Sequence, residues 1–131
     1  MTLFISQHMH KAGRSTNYIF KDFALSILCE RHNLKAKFLH PQEIYSSLGI
    51  NLFSGELTYS NNVKVDDRQY EKLYSAKNLQ SNIHLQGYNN SDFIVDLIKK
   101  LISKNKKLII NANPYKKRYE KNNDLFVHIR L

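Results

Sequence analysis

Two basic side chains near the end of the chain have the spacing for phosphate chemistry. His128 and Arg130 alternate with apolar residues in Phe126-Val127-His128-Ile129-Arg130, so on a strand they share one face. A guanidinium at a strand end can grip a phosphate or carboxylate with two parallel hydrogen bonds. Gly13, Arg14 and Asn17 stand where a polar stretch gives way to an apolar helical pattern. A helix N-terminus there offers unpaired N–H groups to an anion. Each residue also has a purely structural reading. Gly13 can be a turn residue and Asn17 a helix cap. His128 can be a hydrogen-bonded core histidine, and Arg130 a surface cation near the C-terminus.

Other chemistries find less support. No Ser/His/Asp constellation, carboxylate pair or glycine-rich phosphate loop can be assembled, so no catalytic residue is assigned. Asp66 and Asp67 are adjacent, and on a strand they would face opposite sides. His8 and His10 can share a strand face, but no third ligand is near, so no metal site is expected. Cys29, the only cysteine, lies among Leu25, Ile27 and Leu28 and reads as a core residue. A lone cysteine makes no internal disulfide and favours a reducing compartment. The net charge of +9 would attract phosphates or nucleic acid, yet a Lys-, Asn-, Ile- and Tyr-rich bias also follows from AT-rich coding. The Lys99–Lys107 run reads as a solvated face, because aromatics do not interleave with it.

The elements that would position these groups follow an alternating pattern. Thr2–Ser6 reads as a first strand. Ile19, Phe20, Phe23, Ala24, Ile27 and Leu28 form one stripe of an amphipathic helix that closes at His32, with Asn33 suited to a left-handed exit. Leu34–Phe38 alternates as a second strand, giving a βαβ unit and a parallel sheet. Pro41 opens a short helix through Ile44, Tyr45 and Leu48, ending near Gly49. From Asn51 to Lys77 the pattern is weaker, with Val63–Val65 a short strand and Tyr70–Tyr74 a helical turn. Ile83–Leu85 predicts a strand stopped at Gly87. Asn90 or Ser91 caps the clearest helix, with its stripe at Phe93, Ile94, Leu97, Ile98, Leu101 and Ile102. Leu108–Ile110 extends a helix or opens a strand, 111–123 is a surface loop, and Leu125–Leu131 is a last strand. At 131 residues and 42% apolar, one domain over residues 1–131 with one core is expected.

Three segments carry a family resemblance. Gly13-Arg14-Ser15-Thr16-Asn17-Tyr18-Ile19-Phe20 resembles the Gly-Arg/Gly-Leu-Gly-Asn-Gln-Leu/Met-Phe loop after the first strand of glycosyltransferase family 11, the α-1,2-fucosyltransferases. Gly13, Arg14, Asn17 and Phe20 match; Thr16 and Tyr18 depart. His84-Leu85-Gln86-Gly87-Tyr88 is similar to the family's Leu-x-Gly-Tyr segment. Phe126–Arg130 is similar to the start of its His-x-Arg-Arg-x-Asp motif, with Leu131 where the second Arg often stands. The order and spacing of the three agree over the whole chain.

The resemblance implies a Rossmann-like α/β fold, the N-terminal half of a two-domain GT-B glycosyltransferase. It implies GDP-fucose as donor, a glycan hydroxyl as acceptor, inversion, and no required metal or other cofactor. Arg130 and His128 would then meet the donor phosphates, with Gly13, Arg14 and Asn17 in the cleft loop. The motif's Asp and the family's second domain lie beyond Leu131, so this chain is expected to be truncated and inactive alone. A second chain or a homodimer is the expected cover for the surface left open. The other reading is a small basic module for nucleic acid or another polyanion. No run nears the roughly 18 apolar residues of a membrane span, and no signal peptide is recognised at the N-terminus. A soluble, cytoplasmic or otherwise intracellular protein is therefore expected.

Overall fold

A computed structural model describes residues 3–5 and 15–119, with side chains described for 18–117. Four strands, β1 (Leu3–Ile5), β2 (Ala36–Lys37), β3 (Asn62–Val65) and β4 (Asn82–Leu85), form one sheet in the order β2-β1-β4-β3. Every pairing is parallel, with Phe4 opposite Lys37 and His84, and Val65 opposite Leu85. The helices are α1 (Ser15–His32), α2 (Gln42–Ser47), α3 (Asp67–Ser75), α4 (Asp92–Lys104) and α5 (Lys106–Ala112), followed by a short 3-10 turn at Lys116–Tyr119. The protein is mixed α/β with a small parallel sheet.

Position in the sheet explains each strand's composition. Central β4 buries Asn82, Ile83 and Leu85, as a strand covered on both faces must. Edge strand β3 alternates: Val65 is buried, while Asn62 and Lys64 face water. A charged lysine on an edge discourages strand addition. Among the helices, α3 begins with a capping box. Asp66 accepts from Arg68 N at 2.8 Å, and Gln69 accepts from Asp66 N at 3.0 Å. Ser91 caps α4, whose Ile94 and Ile98 are buried against the core. Each such side chain contributes on the order of 2 kcal/mol.

Helix α1 is buried on more than one face. Lys21, Asp22, Phe23, Ala24, Leu25, Ser26, Leu28 and Cys29 are all shielded from water. The single stripe expected from the sequence is therefore a correction: the flank opposite it is covered as well. Helices α3 and α4 touch α1 and each other, and the Tyr70 hydroxyl donates to Ala24 O at 2.6 Å. The segment after β2 folds back over the other flank. Leu39 N and His40 N donate to Asp22 at 2.8 and 3.0 Å, and the Tyr45 hydroxyl donates to the same carboxylate. Phe53 N donates to Ser26 Oγ at 2.7 Å. The polar residues on α1 thus satisfy backbone groups that this burial would otherwise strand.

Several elements differ from their sequence expectation. The Leu34–Phe38 strand shrinks to Ala36–Lys37. Asn33 takes the left-handed exit (φ 53°), and Leu34 makes only an isolated parallel bridge to Leu57. Tyr70–Tyr74 is the second half of a full helix. Leu108–Ile110 belongs to α5, because the backbone turns helical again directly after Asn105. Within 111–123, described to Tyr119, helical turns replace the expected loop as far as Ala112 and again at Lys116–Tyr119. Asp66 and Asp67 lie at a helix start, not on a strand. The last strand at Leu125–Leu131 lies outside the described residues, as do Thr2 and Ser6 at the ends of the first.

Removing Asp22 would leave the buried Tyr45 hydroxyl and two half-buried backbone donors, Leu39 N and His40 N, without their acceptor. Asp22→Ala is expected to lose about 3 kcal/mol or more in urea unfolding, and Tyr45→Phe about 1 kcal/mol. Parent-like stability in Asp22→Ala would show that the segment after β2 is held by other contacts.

Candidate functional site

Because all four strands are parallel, their carboxyl ends share one rim, and α1, α2, α3 and α4 each begin after a strand ends there. The chain leaves central β1 for β2 on one edge, then crosses to β3 on the far edge before returning to β4 beside β1. Open parallel sheets bind ligands outside their strand ends, near such reversals of order.

The rim beyond β3 and β4 is tightly built. Gln86 N donates to Val65 O at 2.7 Å, carrying the ladder one step past the strands. Gly87 (φ 79°) and Asn89 (φ 59°) then turn the chain through left-handed backbone. Asn89 is buried and donates its side-chain amide to Gln86 O and Gly87 O, both at 3.1 Å. Asp67 accepts from Asn89 N at 2.7 Å and Asn90 N at 3.3 Å, fastening this turn to the start of α3. Tyr88 between them points outward and is 55% exposed. Asp66 pairs with Arg68 at 3.0 Å, and that hydrogen bond holds its carboxyl below the usual range. Beyond β2, the His40 ring lies 5.8 Å from Tyr18 of α1 and 6.2 Å from Tyr45.

Two neighbouring charges on α1 have opposite fates. Asp22 is fully buried, and burial pushes its carboxyl up against the opposing pull of hydrogen bonds from Tyr45, Leu39 and His40. Lys21 is 1% exposed, yet its Nζ has no hydrogen-bond partner among the described residues. Burial lowers its pKa from 10.5 to about 8, with the negative charge of Asp67 opposing the fall. The Lys21 ammonium lies within electrostatic reach of Asp67, at the start of α3 on the carboxyl rim. Cys29 is buried, and burial pushes its thiol up, which fits an inert core residue.

Most of the site residues expected from the sequence lie outside the described residues. Gly13, Arg14, His128 and Arg130 lie outside the described residues. Asn17 lies in the first turn of α1, with its backbone alone described. The expected convergence of Gly13, Asn17 and Arg130 at one rim therefore also lies outside them. The His84–Tyr88 segment is described and sits at the carboxyl end of β4. Lys21 was not singled out from the sequence. Its signal is that Lys21 and Asp22 are the only charges between Ser15 and Cys29. Among the described residues, no cluster of three His, Cys, Asp or Glu side chains could hold a metal, and no helix is long and apolar enough to cross a membrane.

Lys21 sets a pH dependence whose sign follows from its shift. The unfolded side chain titrates near 10.5 and the folded one at about 8. Between those values the unfolded chain binds a proton that the folded chain lacks, so this group makes stability rise with pH. Below about 8 both states are charged, and the full penalty of burying the ammonium applies. Lys21→Met is expected to be more stable than the parent at pH 7, with the gap narrowing toward pH 10 in urea titrations. A gap that does not change with pH would contradict the burial of a charged Lys21. Comparison of the chain with family models, curated proteins and solved structures returns no match.

Proposed function

We propose that this chain is the N-terminal, Rossmann-like half of a GT-B glycosyltransferase resembling the α-1,2-fucosyltransferases, binding the phosphates of GDP-fucose at the carboxyl rim of its sheet. The supporting observation is a juxtaposition. The Gly13–Phe20 segment leads into α1 after β1, the His84–Tyr88 segment leaves β4, and β1 and β4 are neighbours in the sheet. Two of the three motif segments therefore follow, in sequence, strands that are neighbours in the sheet. In this reading Gly13, Arg14 and Asn17 line the cleft, and Arg130 and His128 approach the donor phosphates. These residues form one wall of the cleft, and the buried, unpaired Cys29 is in keeping with a reducing, intracellular setting.

A second reading rests on the exposed lysines Lys99, Lys100, Lys104, Lys106 and Lys107 of α4 and α5, which suit a polyanion such as nucleic acid. The acidic residues Asp96 and Glu30 interrupt this face, and Lys104 approaches Glu30 at 3.8 Å.

Calorimetry should find weak GDP binding that Arg130→Ala reduces by roughly one to two decades. Equal GDP affinity in the two proteins would remove Arg130 from the site. Binding of DNA in preference to GDP would favour the polyanion module.

A further inference from the structure

We infer that Lys21 is an oxyanion-binding group, placing its ammonium against a phosphate at the α1 end of the carboxyl rim. Placing that phosphate in a nucleotide-sugar cleft rests on the reading above; the anion chemistry stands on Lys21 and its surroundings.

Lys21 is buried, and its Nζ has no hydrogen-bond partner among the described residues. A buried ammonium without a hydrogen-bond partner is costly, and such groups normally meet a water, an ion or a ligand. Asp67 supplies the nearby negative charge that acts on Lys21. Its two oxygens already accept from Asn89 N and Asn90 N, and Lys21 Nζ is hydrogen-bonded to neither. The positive end of the α1 dipole also lies on the carboxyl rim. Dipole and ammonium repel each other when alone, whereas an oxyanion between them is attracted by both. Helix α1 spans 18 residues and carries no acidic residue in its first turn. The starts of α3 and α4, by contrast, hold Asp66, Asp67, Ser91 and Asp92. With burial lowering its pKa to about 8, the side chain is still charged at neutral pH, and it has no hydrogen-bond partner among the described residues. The ligand class is a phosphate or diphosphate, as inorganic anion or as part of a nucleotide.

The test is calorimetric titration of the full chain at pH 7.0 with inorganic pyrophosphate and with GDP. The proteins are the parent, Lys21→Gln, Lys21→Arg and Arg130→Ala. Pyrophosphate should bind the parent, Lys21→Gln should lose about tenfold or more for both ligands, and Lys21→Arg should retain most of the affinity. A measurement on the parent alone guards against misfolding of the variants. In NMR titration, pyrophosphate should raise the apparent pKa of the Lys21 ammonium from about 8 toward its ordinary value. Parent-like pyrophosphate binding by Lys21→Gln, no binding by the parent, or an unmoved Lys21 pKa would overturn the inference. Lys21-dependent pyrophosphate binding with GDP no tighter would sustain the inference and remove support for the nucleotide-sugar reading. GDP binding that depends on Arg130 but not on Lys21 would do the reverse.

Discussion

The buried carboxylate of Asp22 is the interaction on which much of the architecture rests. It gathers Leu39 N, His40 N and the Tyr45 hydroxyl onto the middle of α1, so the chain leaving β2 must turn back across that helix. Once turned, the chain places Phe53 N on Ser26 and runs Leu57 beside Leu34. Helix α1 is thereby enclosed between this segment and α3 and α4. The same path brings Gly49 (φ 78°) against α5, where an added Cβ would lie 2.2 Å from Leu108 O. A side chain at that position would push the two elements apart.

Enclosure of α1 gives its two adjacent charges different meanings. Asp22 has its partners within the fold, so its burial reads as architecture. Lys21 is equally hidden and lacks one, which the packing of α1 by itself does not require. Nearby, the turn from Gln86 to Asn90 is bound to Asp67 and holds Tyr88 out to solvent. The rim thus combines hydrogen-bonded backbone, an exposed aromatic and a buried cation without a hydrogen-bond partner, the groups on which the proposed oxyanion site rests.

The sequence revealed elements wherever local pattern and local capping agree. The stripe from Phe93 to Ile102 and the Ser91 cap predict α4 almost to its ends, and Ile83–Leu85 is recognisable as a short, mostly apolar run stopped at Gly87. Asn33 announces the end of α1 because asparagine tolerates left-handed backbone. What escaped depends on contacts between distant residues. Nothing local tells that Leu34 will bridge to Leu57, or that Asp66 will cap a helix after so short a strand. The site was legible only in part. The motif segment at Gln86-Gly87-Tyr88 can be read directly, whereas Lys21 acquires meaning only once the opposite flank of α1 is known to be covered.

The central claim is that ligand phosphates bind at the carboxyl rim of the sheet and not on the lysine face of α4 and α5. Amide NMR of the full chain during GDP titration tests it most directly. The account expects the largest, saturable shifts at Ser15 to Lys21 and at Gly87 to Asn89, with Lys99 to Lys107 little changed. Shifts concentrated on Lys99 to Lys107, with the rim unmoved, would contradict it and leave the basic face as the binding surface.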